Sequence, residues 1–228
     1  ADTALTAERL VYSLRWGAIH AGTATLVATP EARCDDRPAA HIALSVHSSP
    51  FIDAIYKVRN LIEVWLTPDL ARPIVYRQHQ HEGPRRSVTK VVFDWPNGMA
   101  RRVKNAEAKP PLAVPAGAFD PLGALYVLRR RAFEVGDGLT LPVTDGKRCA
   151  LARARVLRRE TVCTPAGEFD TLVVEPDLRE VKGVFEKSPG ARLHVWVTND
   201  ARHLPVKLAS KVMIGHFTAE LTAHDTAP

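Results

Sequence analysis

The chain has 228 residues, of which 46% are hydrophobic and 25% are charged, and these ordinary globular values argue against intrinsic disorder. No apolar run approaches the ~18 residues that a membrane-spanning helix needs, so we expect no transmembrane segment. The net charge of +6 would permit attraction to nucleic acid or to anionic lipid. Basic residues alternate with acidic ones, however, and no nucleic-acid-binding module accompanies them, so we expect no nucleic-acid partner.

Alternating apolar and polar residues predict a run of strands in the first half of the chain. A turn at Gly17 connects the first strand, which ends at Trp16, to the second strand. We expect residues 1–8 to be frayed, 31–38 to form a charged loop, and 50–56 to make at most a helical turn. The predicted strands are 9–16, 19–28, 41–48, 57–66, 74–82 and 86–95.

One clear helix is predicted at 120–131, near the middle of the chain. Asp120 can cap it and Pro121 suits its first position, where no backbone N–H is needed. Positive charge favours the C-terminal end of a helix, where three arginines follow each other. A proline-rich stretch at 109–115 resembles a linker leading into this helix. Its apolar side would carry Leu122, Leu125, Tyr126 and Leu128.

Strands dominate the second half as well. A tight turn is predicted at 157–160, which would make a hairpin of the strands before and after it, and a charged loop at 176–190. The predicted strands are 139–143, 148–157, 161–163, 169–175, 193–198, 205–214 and 217–221.

About ten or more strands joined by short turns predict an all-β protein with an antiparallel sheet. So many strands should curl into a barrel or half-barrel, with one hollow face that the helix at about 120–131 would cover. We expect a single domain over 1–228, in which two β-rich halves at about 9–105 and 137–224 are joined through the helix.

The three cysteines do not have metal-binding spacing. With a turn at 157–160, Cys149 and Cys163 would lie on neighbouring strands but out of register, whereas Cys34 could pair with either. The chain starts at Ala1 without a methionine. An exported protein would look like this after removal of its signal peptide, and we expect export on that basis.

Four phrases of the sequence carry a family resemblance: YSLRWGAIHAGTATL, DPLGALYVLRRR, TPAGEFDTLVVEP and VWVTNDARHLPVKLASKVMIGHFTAEL. Their order and spacing resemble a bacterial family known as domain of unknown function 3108. The resemblance implies an exported, mostly periplasmic protein with a curved antiparallel sheet. It carries no catalytic residues over to this chain.

Catalytic and metal signals are weak. His79 and His81 share one strand face and could hold Zn²⁺ or Cu²⁺ with a third ligand, but two histidines alone are a weak metal signal and a solvated strand edge is the favoured interpretation. Nothing brings the acids Asp94, Glu175 and Glu220 together as a catalytic pair. We therefore assign no catalytic residue, no cofactor and no metal, and the sequence favours a protein that is not an enzyme without deciding the matter.

An apolar cavity is the one functional reading that the predicted architecture favours, since a curved sheet encloses space. Core packing is the default alternative for its aromatic residues. The candidate ligand-binding residues are Trp16, Trp65, Tyr76, Leu125, Tyr126, Trp196, Arg129 and Arg130. The leading hypothesis is a non-enzymatic periplasmic protein that binds a lipid-like ligand, with the arginines meeting an anionic head. The alternatives are an assembly partner of another envelope protein and a polysaccharide-active or polysaccharide-binding protein.

Overall fold

The computed structural model describes residues 5–177, 192–211 and 216–226. Within them lie fifteen strands, a short 3-10 helix at Trp95–Asn97 and two α-helices, α1 (Pro50–Tyr56) and α2 (Pro121–Arg129). The strands are β1 (Glu8–Trp16), β2 (Ile19–Cys34), β3 (Arg37–Ser48), β4 (Arg59–Leu66), β5 (Pro73–Glu82), β6 (Arg85–Asp94), β7 (Met99–Lys104), β8 (Glu107–Ala108), β9 (Leu112–Ala113), β10 (Gly138–Thr144), β11 (Cys149–Thr164), β12 (Gly167–Pro176), β13 (Arg192–Thr198), β14 (Pro205–Lys211) and β15 (His216–Thr226).

All fifteen strands belong to one curved antiparallel sheet, which confirms the predicted fold class. Each strand pairs with its neighbour in the chain from β1 to β8 and again from β10 to β15. The two runs are joined because β15 pairs with β1, so both halves of the chain contribute to the same sheet. The hydrogen-bonded order runs from β10 through β15 and β1 to β8 and leaves the sheet open between its two ends.

The proline-rich connection between the halves lies at this opening. Its strand β9 pairs with β7 on one side, and Phe119 makes a parallel bridge to Val143 of β10 on the other. The Phe119 amide donates to the Pro142 carbonyl over 3.0 Å, and the Thr144 amide donates to the Phe119 carbonyl over 2.8 Å. The predicted linker is therefore a seam that satisfies backbone groups of both sheet ends.

Helix α2 follows the seam directly and fills the inside of the sheet. The Asp120 carboxylate accepts hydrogen bonds from the amides of Leu122 and Gly123, both over 2.9 Å, which confirms it as the N-cap. Leu122, Ala124 and Tyr126 share one hydrophobic core with strand residues. We call the sheet face that meets this core the inner face. Among its strand residues are Leu10, Ile42, Val64, Leu66 and Leu221, all of which have 0% exposure.

The hollow expected beneath the helix is thus largely filled by α2 and by strand side chains. Close packing of this kind is the usual state of a protein interior. The helix therefore covers the inner face of the sheet as a packed core element, and an apolar cavity remains beside its C-terminal half.

Two predicted breaks between strands differ from the structure. Strands β2 and β3 continue through the expected charged loop at 31–38, because Asp35 and Asp36 make the turn with φ angles of 46° and 63°. Asp tolerates this left-handed conformation better than most residues. The expected turn at 157–160 is a bulge within β11, between Val156 and Arg158.

The bulge settles the geometry of two cysteines. Cys149 and Cys163 lie on the same strand, β11, so about 46 Å of extended chain separates them and they cannot be bonded. All three cysteines are free: Cys34 is buried at the end of β2, and Cys163 is exposed.

The chain also has a second helix, since residues 50–56 form α1, capped by Ser49. Glu8 belongs to β1 and is buried, so the expectation of a frayed segment over 1–8 is wrong at its last residue. The predicted loop at 176–190 falls outside the described residues from 178 onward, as do residues 212–214 of the predicted strand 205–214.

Candidate functional site

An apolar cavity of about 160 Å³ lies between the C-terminal half of α2 and strands β10 to β13. The strand residues Ala152 and Ala154 have small side chains, so the wall opposite the helix stands back and leaves the space open. Phe133, in the turn that follows α2, is buried in a small core with Val174 and Val197 and forms one end of the lining. The lining residues are Leu125, Leu128, Arg129, Phe133, Leu139, Ala152, Arg153, Ala154, Val174, Pro176, Val195 and Val197.

A buried charge cluster lies at the edge of this cavity. The Arg129 guanidinium donates from Nη1 to Glu8 Oε1 over 2.6 Å and from Nη2 to Glu8 Oε2 over 2.9 Å. The Tyr126 hydroxyl donates to Glu8 Oε1 over 2.7 Å, and its ring centroid lies 4.7 Å from the Arg129 guanidinium carbon. Arg129 also donates from Nε to the carbonyl of Arg202 over 3.2 Å. This network ties α2 to β1 and to the turn before β14.

Each charge in the cluster stabilises its partner. Burial opposes the charge of Arg129, but the hydrogen bonds and charge of Glu8 raise the pKa of this guanidinium above its usual value. Burial and the Glu8 carboxylate hold the pKa of Tyr126 well above its usual value, so its hydroxyl remains a donor. Neither Arg129 nor Tyr126 is therefore poised to exchange a proton near neutral pH, which suits a structural role for these two side chains better than acid–base catalysis.

Four of the eight predicted ligand-binding residues meet around the C-terminal end of α2. Leu125 and Arg129 line the apolar cavity. Tyr126, Arg129 and Arg130 line a smaller cleft of about 60 Å³ on the other side of the helix. Arg130 also donates from Nη1 to the carbonyl of Asp69 over 2.7 Å.

The other four predicted residues are scattered. Trp16 is 47% exposed at the end of β1, about 26 Å along the strand from Glu8. Trp65 lies on the outer face, stacked on His41. Tyr76 is buried in a separate small core. Trp196 is buried, and its indole N–H donates to Glu160.

The polar candidates do not converge either. His79 and His81 lie on the outer face of β5, where His81 pairs across the strands with Arg86. Among the described residues no group of three or more His, Cys, Asp or Glu side chains could hold a metal ion. Each of the three strand acids contacts a different basic side chain: Asp94 contacts Arg101, Glu175 contacts His194, and Glu220 contacts Lys207.

Glu8 is the residue that the sequence analysis missed. The alternation that places Leu10, Tyr12 and Leu14 on the inner face extends backwards to Glu8, so the pattern itself puts a carboxylate on an apolar face. A buried carboxylate requires a cation, and a run of three arginines is the strongest cationic feature near the helix.

A model of the family described as "Protein of unknown function (DUF3108)" matches residues 11–222. The chain belongs to the DUF3108 family. This match confirms the resemblance carried by the four sequence phrases. No similar sequence is found among curated proteins.

Two solved structures share features with this DUF3108 chain. The first is a beta-barrel-like protein of domain of unknown function DUF1849 from Brucella abortus, with a TM-score of 0.63, 8% identity and 99% coverage of both chains. That similarity concerns the fold alone. The second, a candidate lipoprotein from Parabacteroides distasonis ATCC 8503, has a TM-score of 0.39 and 9% identity over 97% of this chain and 96% of its own, which carries no argument. Within the described part of this chain, no helix is long and apolar enough to cross a membrane.

Proposed function

We propose that this DUF3108 protein is a non-enzymatic periplasmic protein that binds the apolar part of an amphiphilic molecule in the cavity beside α2. The cavity carries the proposal, because its lining is apolar apart from Arg129 and Arg153. Ligand sites are usually apolar enclosures with a few polar groups placed at their edge. The periplasmic location rests on what the family resemblance implies.

The size of the cavity limits the ligand. About 160 Å³ is close to the ~150 Å³ of an apolar cavity that accepts benzene, so the site suits the end of an acyl chain and not a whole lipid. Each methylene that enters would contribute about 0.8 kcal/mol. The ligand therefore enters the protein by one end and remains largely outside.

Arg153 is better placed than the predicted Arg129 to bind the anionic head group of the ligand. Both oxygens of Glu8 already bind the Arg129 guanidinium, and the Arg202 carbonyl accepts from its Nε. Arg153 is exposed at the cavity edge, and among the described residues no side-chain acceptor meets its guanidinium.

The test is to fill the cavity. Ala154→Leu places a larger side chain in the lining, and Ala43→Leu is the matched control on the outer face of β3. We expect native mass spectrometry and solvent extraction of the protein from the envelope to detect a bound amphiphile in the wild type and in Ala43→Leu. The Ala154→Leu variant should lose it while its free energy of unfolding stays equal or rises. No bound amphiphile in the wild type, or equal occupancy in Ala154→Leu, would contradict the proposal.

A second candidate function, assembly with another envelope protein, is favoured by exposed apolar residues at one end of the sheet. Helix α1 is held beside the β1–β2 turn, because Ser49 donates from its amide to the Ala21 carbonyl over 2.8 Å. Exposed apolar side chains seldom cluster without an interaction partner. The exposed apolar residues at this end are Trp16 and Ile19 beside the β1–β2 turn and Phe51, Ile55 and Tyr56 on α1, and Ile55 is 76% exposed.

This second candidate is tested by cross-linking in intact envelopes. The double variant Phe51→Ser with Ile55→Ser should lose a cross-linked partner that the wild type retains. Val135→Ser changes an exposed apolar residue elsewhere and should keep the partner. Identical cross-links in all three proteins would exclude the α1 end as the binding surface.

A further inference from the structure

A cationic cleft of about 520 Å³ opens where the turn between β10 and β11 reaches β7. Gly146 of that turn is buried, and a Cβ added there would come within 2.7 Å of Val91 and 3.2 Å of Arg102. The turn is ordered by its own hydrogen bonds: the Gly146 amide donates to the Thr144 hydroxyl over 3.0 Å, and the Lys147 amide to the Asp145 carboxylate over 2.9 Å. Because this glycine permits the close approach, Lys147 is held beside β7.

Four cationic side chains therefore line one space, although they come from three parts of the chain. Arg102 and Lys104 are two residues apart on β7 and share its inner face. Lys109 follows β8, and Lys147 belongs to the turn. The complete lining is Arg102, Lys104, Lys109, Pro110, Pro111, Leu112, Gly146 and Lys147.

Acidic groups offset only part of this charge. Glu107 contacts Lys109 over 2.6 Å, and that pair lowers the pKa of the Glu107 carboxyl. The Asp145 carboxylate accepts from the amides of Lys147 and Arg148, so backbone donors already occupy it. The cleft therefore has four cationic side chains and only two neighbouring carboxylates among the described residues. Lys104 also borders a neighbouring cleft of about 610 Å³, whose lining includes Arg85 and Arg86 together with one acid, Glu82.

The half-buried Arg102 also carries a donor that the described residues leave unsatisfied. Its Nε is buried and has no hydrogen-bond partner among the described residues. A buried donor without a partner costs about 1–3 kcal/mol, so such groups usually have a reason to persist. The neighbouring Arg101, which points to the outer face, binds Asp94 from Nη2 over 3.1 Å.

We propose that this cleft binds a phosphate-bearing anion, with Arg102 as its principal contact and Lys104, Lys109 and Lys147 around it. A guanidinium presents parallel N–H donors that match two phosphate oxygens, whereas lysines supply adaptable positive charge. The cleft shares no lining residue with the apolar cavity, so this proposal can be tested independently of the proposed amphiphile binding.

The experiment titrates the wild-type protein with inorganic phosphate and pyrophosphate by isothermal calorimetry at low salt. Sedimentation with vesicles forms a second arm, using phosphatidylcholine with and without phosphatidylglycerol. We expect binding in at least one arm that weakens as salt is added, since screening shortens the reach of the charges. Binding of the soluble anions alone identifies a free phosphate compound as the ligand class, and binding of phosphatidylglycerol vesicles identifies a lipid head group.

Variants assign the binding to the cleft. Arg102→Gln should weaken it about ten-fold or more, as expected for hydrogen bonds to a charged group. Arg101→Gln, the matched control on the opposite face of β7, should bind as the wild type does. Lys147→Ser, at an exposed turn position, should weaken binding without changing the melting temperature, which keeps the test valid if Arg102→Gln folds poorly. No binding in either arm, or binding unaffected by Lys147→Ser and Arg102→Gln, would overturn the proposal.

Discussion

Glu8→Gln tests whether the buried charge cluster anchors α2 to the sheet. In the wild type, Glu8 accepts two hydrogen bonds from Arg129 and one from Tyr126. The substitution keeps the shape of the side chain but removes its charge. The Arg129 guanidinium then stays buried with only neutral acceptors, the glutamine amide oxygen and the Arg202 carbonyl, and without a counter-charge. Breaking a buried ion pair from one side costs about 3–5 kcal/mol, and we expect a loss of this size in the free energy of unfolding.

Urea unfolding followed by tryptophan fluorescence measures this loss, provided that the slope with denaturant is unchanged. The double variant Glu8→Leu with Arg129→Met should recover much of the stability, because apolar groups of similar volume often replace a buried ion pair without loss. A loss below about 1 kcal/mol for Glu8→Gln would refute the reasoning, since an uncompensated buried guanidinium cannot be that inexpensive.

Three further predictions concern the same helix and the turn between β10 and β11. Leu125→Asp should lower the free energy of unfolding by about 2–4 kcal/mol, because it brings a charge to an apolar cavity, whereas Arg130→Ala should change it by less than about 1 kcal/mol in the same urea assay. Gly146→Ala should cost about 2–4 kcal/mol in that assay, since its φ of +76° and the 2.7 Å approach to Val91 both oppose a side chain. Burial raises the pKa of Asp120 from 3.8 to about 6. At a pH between these two values the folded state binds more protons than the unfolded state does. The free energy of unfolding should therefore fall by about 3 kcal/mol as the pH rises through this range. Asp120→Asn keeps a capping oxygen and should remove that slope in unfolding curves at pH 4 to 7; a retained slope would assign it to another group.

The fold was predictable because most strands have one apolar face, and the period of two is then visible in the sequence. The N-cap Asp120 and the first-turn Pro121 likewise identify α2 to within two residues of its observed end. The prediction of a turn within β11 was wrong because consecutive polar residues on a strand that is largely exposed on both faces resemble a turn. A bulge at Val156 and Arg158 needs no glycine or proline, so composition gives no sign of it.

The candidate site was predictable only where it belongs to the helix. Leu125 and Arg129 were found because the amphipathic pattern of α2 identifies them, and the cavity lies along that helix. The opposite wall comes from Ala152, Ala154 and the valines of β12 and β13, which a sequence pattern shows only as ordinary strand residues. Trp16 and Trp65 were assigned to the same site on residue type alone, but β-strand alternation and length place them elsewhere.

Both candidate binding sites owe their position to the way this chain closes its sheet. The two runs of strands join through β15 and β1, so the other ends of the two runs, at β7 and β8 and at β10, are bridged by the connection between them. Leu112 of that connection lines the cationic cleft, and Leu125 of the following helix α2 lines the apolar cavity. A continuous barrel would seal this region with strand hydrogen bonds. Here a seam, a glycine turn and a helix meet instead, and the packing at this junction leaves the apolar cavity and the cationic cleft open.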